Sequence, residues 1–316
     1  MPRRASYPRA GNRSRPRPAV HPTLRGQRAR NRSQHDIRTS AAHLRRPGCT
    51  QSHMAEGPRR AFQRRGRRRL RIPHRFGQDA RPARAISETR SRPTFDGIIV
   101  LDPLARNRLI PQLIDMQIPV VTVGRYLGRP NVPWVDADIA AGIRRVLRHL
   151  RTERFQRPVL LSVDLEIAFV QDLESAFVDE LAHQGCDPVI VRAADLSEVE
   201  AYEKATQFLS AWPDAVDAVV TASDRQAIGV LRAARRLGLH VPADLGIAGQ
   251  GDTVIARNSQ PALTSVHARP KDVGAAAVRM LLELISGQVI DSVKTPVDLA
   301  IRESTRRRPR LAHDAP

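Results

Sequence analysis

The stretch DAVVTASDRQAIGVLRAARRLG, residues 217–238, decides the fold class. Ala218–Thr221 is a short apolar run that reads as a buried strand. Asp224–Leu237 reads as a helix closed by Gly238, and Leu245–Ala248 reads as the next strand. The same rhythm extends in both directions. Upstream lie a helix at 199–211, a strand at 188–191, a helix at 169–184 closed by Gly185, and a strand at 158–163. Before these come a helix at 138–150 with Ile143, Val146, Leu147 and Leu150 turned inward, a strand at 118–123 ended by Gly124, a helix at 104–117 and a strand at 95–101. Downstream, Val273–Ile285 is a long helix ending at Gly287. Short apolar strands alternating with helices indicate βαβ units and a parallel sheet, an α/β fold.

Charge divides the chain of 316 residues. Residues 1–92 hold 26 arginines, no lysine and four acids, a net charge of +22. Residues 93–316 are nearly balanced at −2, so the formal +20 belongs to the first third. That third has only nine Leu, Ile, Val or Phe residues, too few to bury a core against the cost of ordering the chain. Two cysteines, Cys49 and Cys186, give neither a disulfide framework nor a zinc signature, and a reduced, cytoplasmic setting is expected. No apolar run is long enough for a membrane span, and the basic N-terminus lacks the apolar stretch of a secretory signal.

The order of short motifs resembles the LacI/GalR regulators. Phe95-Asp96-Gly97-Ile98-Ile99 resembles their "DGII" strand, and Ile118–Val121 with Gly124-Arg125 their "IPVV..GR". Asp138, Gly142 and His149-Leu150 resemble "D...G......HL"; Ser223–Gly229 resembles "ND.MA.G"; Gly238–Asp244 resembles "G..VP.D". Pro261–Val266 and Arg302–Thr305 resemble "PPLTTV" and "R.ST". The resemblance implies a type I periplasmic-binding-protein-like architecture: two Rossmann-like lobes with parallel sheets, crossing hinge strands and a ligand cleft between them. It places the first lobe at 93–156 plus 268–290, the second at 157–267 plus 291–306, and a tail at 307–316.

Such regulators open with a helix-turn-helix, a hinge helix and the leading strands of the first lobe. None of these is readable in residues 1–92, where Arg59-Arg60, Arg64-Arg65 and Arg67-Arg68-Arg69 stand among Pro, Gly, Ser, His and Gln. Two readings stay open: a disordered basic tail that meets phosphates by charge alone, or an out-of-frame translation of the true start. In either case the first lobe is expected to be incomplete, and the product poorly soluble or trimmed to a fragment starting near residue 93.

The candidate ligand contacts are Ser162 and Asp164 after a second-lobe strand, Ser223 and Asp224 at the opening of a helix, and Asp252 in a Gly-rich loop. Each has a plainer reading as well. Asp224 can cap the helix that Ser223-Asp224 opens, Asp252 suits a turn, and Asp138 caps its own helix as readily as it meets a ligand. By resemblance, Leu173 and Gly251 stand where relatives carry an arginine and an acid that grip sugar hydroxyls, and the "GxGD" form of Gly249–Asp252 hints at a sugar acid. Arg125 fits the family pattern but can equally be a surface residue. No nucleophile elbow, phosphate-binding loop or HExxH helix appears, and His149, His183 and His267 stand alone. A catalytic site, a metal and a cofactor are therefore not expected. The expected function is transcription control by a homodimer that binds DNA and a small sugar or sugar-acid effector. Two alternatives differ in class: a sugar-binding module without DNA binding, and a non-specific nucleic-acid binder acting through the basic tail.

Overall fold

The structure, a computed structural model, describes residues 95–128 and 132–307. The Arg-rich segment 1–92 and the tail beyond Arg307 lie outside the described residues, as do the expectations of disorder, mistranslation and trimming that fall on them.

Two sheets carry the chain. The first contains β1 (Ile98–Leu101), β2 (Val120–Val123), β3 (Trp134–Ala137) and β9 (Val293–Thr295) in the order β1-β2-β3-β9, all parallel. The second contains β4 (Pro158–Val163), β5 (Val189–Ala193), β6 (Ala218–Thr221), β7 (Gly246–Gln250), β8 (Thr264–His267) and β10 (Asp298–Ala300). Its order is β10-β8-β7-β6-β4-β5, parallel except for β10, which runs antiparallel to β8. All six residues of β4 and all four of β6 are buried, as expected for central parallel strands covered on both faces.

Among the described residues seven helices cover these sheets: α1 (Leu109–Asp115), α2 (Ile139–Thr152), α3 (Ala168–His183), α4 (Glu198–Ala211), α5 (Asp224–Arg236), α6 (Val254–Asn258) and α7 (Pro270–Ile285). Their ends follow local chemistry. In α2 the Asp138 carboxylate accepts the Ala141 N–H at 3.0 Å, and His149 and Arg151 in the last turn complement the helix dipole. In α5 the Ser223 hydroxyl caps the Gln226 N–H, and the chain leaves through Gly238 at φ +75°. Pro270 opens α7, where a missing N–H costs nothing.

The lobe boundary differs from the expectation in two respects. Helix α2, assigned above to the first lobe, buries Ile143, Val146, Leu147 and Leu150 beside Leu173, Phe177 and Leu181 of α3, on the second sheet. Its apolar stripe fits that surface because Gly142 lets Val266 of β8 approach; a Cβ there would lie 2.7 Å from the valine. Conversely β9, assigned to the second lobe, pairs with β3 in the first sheet. Among the described residues the chain therefore crosses between lobes three times, at 137–139, 267–270 and 295–298. Arg269 joins two crossings by a bidentate contact with Asp298, at 2.6 and 3.0 Å, and the Arg145 guanidinium donates to the Val297 carbonyl of the third.

Within the first lobe, α1 seals one face with Ile110 and Leu113, both fully buried, while Leu281 and Ile285 of α7 lie against Gly97. Among the described residues β1 is paired on one side only. Strands β3, β8, β9 and β10 and the short α6 have no counterpart in the sequence reading.

Candidate functional site

In open parallel sheets, ligands sit beyond the carboxyl ends of the strands, at the point where strand order reverses. The second sheet reverses between β4 and β6: β5 lies outside β4, and the chain then returns to place β6 on the other side. Ser162 lies near the end of β4 and Asp164 just past it, and Ser223 follows β6. One buried carboxamide ties this junction. The Gln226 Oε1 accepts the Ala222 N–H at 3.1 Å, and its Nε2 donates to the carbonyls of Ser162 and Asp195, both at 3.3 Å.

The five candidates occupy different settings. Ser162 is wholly buried, and its hydroxyl has no partner. Asp164 is exposed and lines an open cleft of about 470 Å³ with Ala105 and Leu127 of the first lobe and Glu166, Gln171, Glu174 and Arg192 of the second. Ser223 is the N-cap of α5. Asp224 is not the cap. It turns inward, 1% exposed, where its Oδ1 accepts from the Ser265 hydroxyl at 2.6 Å and its Oδ2 from the Thr253 N–H at 2.7 Å. Burial raises its pKa above the usual carboxylate value, and these two donors offset only part of the rise. Asp252, at φ +49°, accepts from Arg302 through one oxygen and from Arg257 through the other, the latter at 2.9 Å; His267 Nδ1 stands 3.4 Å away. Burial pushes its carboxyl upward, but the two guanidinium groups prevail and hold it below the usual range. Asp224 and Asp252 thus brace the β7–β8 end of the sheet. Asp164 alone of the five lines the open cleft.

The opposing bank was largely missed. At the carboxyl ends of the first sheet stand Asp102 after β1, Arg125 after β2, Asp136 on β3 and, level with it, Lys294 on β9. Asp172 of α3 reaches them from the second lobe. Its Oδ1 accepts from Arg125 Nη2 at 2.9 Å and its Oδ2 from Lys294 Nζ at 3.0 Å. Nearby, Arg106 Nε donates to Glu166 Oε2 at 3.2 Å, and the Ala105 N–H donates to the Glu166 carbonyl at 3.0 Å. These contacts tie lobe to lobe across the cleft. Asp136 is raised to about 6, first by burial and then by the carboxylates of Asp102 and Asp172, against the Ala137 N–H and Lys294. Leu173, read above as an altered ligand contact, is fully buried in the core, and the helix position that faces the opposing lobe is Asp172.

Residues 147–305 match the model of the periplasmic binding protein-like domain. The chain belongs to the LacI/GalR family. Among its LacI/GalR relatives, the HTH-type transcriptional regulator CelR of Thermobifida fusca is 29% identical over 216 residues, covering 66% of this chain and 63% of that protein. Catabolite control protein A of Priestia megaterium is 35% identical over 219 residues, covering 67% of this chain and 65% of the relative. A solved complex of CelR with cellobiose superposes with a TM-score of 0.63 at 26% identity, over 66% of each chain. The chain thus spans less than two thirds of the length of these two regulators. The relatives are transcriptional regulators, and the type I periplasmic-binding-protein-like architecture inferred from the motifs is the one found.

Among the described residues no three His, Cys, Asp or Glu side chains gather as metal ligands, and no helix is long and apolar enough to cross a membrane.

Proposed function

We propose that residues 95–307 form the effector-sensing part of a transcriptional regulator, and that a small sugar or sugar acid binds between the lobes. The observation that carries this reading is the paired geometry. The carboxyl ends of two parallel sheets are tied to each other by ion pairs, and one of the sheets reverses its strand order at that place. Both banks are polar, with acids and cations interleaved, which suits a ligand rich in hydroxyl groups.

Three chain crossings permit a hinge motion while limiting its direction. An effector shifts that motion only by binding one lobe arrangement better than the other. In the regulator reading, the lobe angle is passed to a DNA-binding head in a homodimer, in keeping with the relatives' description as transcriptional regulators. Ser162, Asp164 and Ser223 remain the proposed ligand contacts of the second lobe; Asp224 and Asp252 support the loops that carry them. The cytoplasm is the setting that suits such a regulator.

Calorimetric titration of the full chain with cellobiose, D-ribose, maltose and D-gluconate tests this reading. Saturable binding of one of them at a stoichiometry of one per chain is expected. Absence of binding to all four, in a chain that melts cooperatively, refutes it. DNA binding is tested separately by its salt dependence: a tail acting through phosphates alone holds any duplex and loses it steeply with salt, at about 0.9 in log–log slope per phosphate neutralised. Preference for one duplex over others supports the regulator.

A further inference from the structure

Gln250 and Gln226 are the same residue type, both buried at the carboxyl end of the second sheet, and the protein treats them differently. Gln226 is fully occupied, accepting the Ala222 N–H and donating to two carbonyls. Gln250 is 7% exposed, and neither its Nε2 nor its Oε1 has a partner. Burying a carboxamide without a hydrogen bond is unfavourable, and native proteins seldom leave one so.

Strand register places a second such group on the same side of the sheet. Leu161 pairs with Thr221 and Val220 with Ala248, so Ser162, Ala222 and Gln250 stand level across β4, β6 and β7. They share the face of Leu160, Val220 and Ala248, which is covered by α2 and α3. Ser162 is 0% exposed with an unpartnered hydroxyl. Between it and Gln250 the intervening position is the small Ala222. Two strand spacings separate the groups, roughly 10 Å.

In the loop after β7, Thr253 also has a buried hydroxyl without a hydrogen-bond partner, beside the Asp224 carboxylate that accepts its N–H. Gly251 has no side chain, and at φ +119° its backbone disfavours any replacement. Both oxygens of Asp252 are held by Arg302 and Arg257.

We propose that Gln250 and Ser162 form the hydrogen-bonding floor of the ligand site and read hydroxyl groups of a polyhydroxylated ligand. The proposal rests on the cleft reading above. A carboxamide presents one acceptor and two donors without charge, and a serine hydroxyl both donates and accepts. Together they pair with ligand hydroxyls, which do the same, and they gain nothing from a cation. The ligand supplies the partners that the protein withholds. Opening of the Asp172 contacts would admit it, since Gln250 is otherwise enclosed.

Gln250→Leu in the full chain tests this with two readouts. The leucine variant removes an unpartnered buried amide at similar volume, so the ligand-free protein is expected to melt a few degrees higher than wild type. Calorimetry with cellobiose, D-ribose, maltose and D-gluconate is expected to show about tenfold or greater weakening for the sugar that wild type binds, and Ser162→Ala is expected to weaken the same sugar. If wild type binds and both variants bind within twofold of it, the proposal fails while the cleft reading stands. If wild type binds none of the four, the cleft reading fails and takes the proposal with it. If Gln250→Leu melts lower than wild type by several degrees, the amide is held by ordered water as part of the fold, and the proposal is overturned.

Discussion

Asp172 receives Arg125 and Lys294 from the other lobe, and replacing it with asparagine should loosen the closed arrangement. The substitution is nearly isosteric, so packing is retained and charge alone is removed. The pair distances are 2.9 and 3.0 Å, with the arginine and lysine side chains 37% and 40% exposed and the aspartate 22% exposed. At an effective dielectric of 20, each pair has a gross attraction on the order of 4 kcal/mol. Exposure, screening and the ordering of two long side chains reduce the net value to about 0.5–1 kcal/mol per pair. Asparagine also relieves repulsion with Asp136, which offsets part of the change. A net shift of roughly 1–1.5 kcal/mol corresponds to about tenfold in the ratio of closed to open forms. Spin labels at Arg108→Cys and Glu203→Cys, in a background free of Cys49 and Cys186, report the distance between lobes by pulsed electron resonance. The Asp172→Asn protein is expected to show a longer and broader distribution. Raising the salt should move wild type in the same direction and move the variant less, because the variant keeps only the exposed Arg106–Glu166 pair across the cleft. Identical distributions for both proteins at low and high salt would refute the reasoning.

Other outcomes follow from single groups. Asp136, raised to about 6, favours the fold when protonated, so its contribution is full below about pH 4 and is lost as pH rises through 6; Asp136→Asn should therefore stabilise the protein by about 1–2 kcal/mol at pH 8 and by little at pH 4, measured by urea unfolding. His149 is shifted down, chiefly by burial, with Thr305 Oγ1 2.7 Å from its Nε2; its contribution is present above the ordinary histidine value and is lost as pH falls below it, a slope that His149→Gln should flatten. A Cβ at Gly229 would lie 2.4 Å from the Glu198 carbonyl, so Gly229→Ala should force α4 and α5 apart and lower stability by about 2–3 kcal/mol in the same urea assay.

The second lobe was legible because its strands are apolar runs long enough to stand out, and its helices carry caps and closing glycines. PVLLSV and AVVT need no partner to be recognised as buried. Trp134–Ala137 escaped because four residues with an aspartate among them carry no apolar signature; that strand exists by pairing with β2 and β9. The three-residue strands at 293–295 and 298–300 are equally products of tertiary context. The site divided in the same way. Asp138 acts as a cap, as local sequence indicates, and the cap expected at Asp224 falls one residue earlier on Ser223, whereas the partnership of Arg125, Asp172 and Lys294 joins positions far apart in the chain and leaves no local pattern. Gln250 had one visible sign, a polar residue closing a strand otherwise made of Gly, Ile and Ala. Its meaning depends on burial without partners, which only coordinates reveal.

The left-handed backbone at Gly251 also bears on how this binding surface can change over generations. A one-base change from glycine to aspartate would place a β-carbon where the main chain resists it, so a carboxylate cannot be introduced there cheaply by a point substitution. Position 250 has an ordinary strand backbone and tolerates exchange. Divergence in ligand preference would then concentrate on that one neighbour, and descendants of this chain should vary at 250 well before they acquire a side chain at 251.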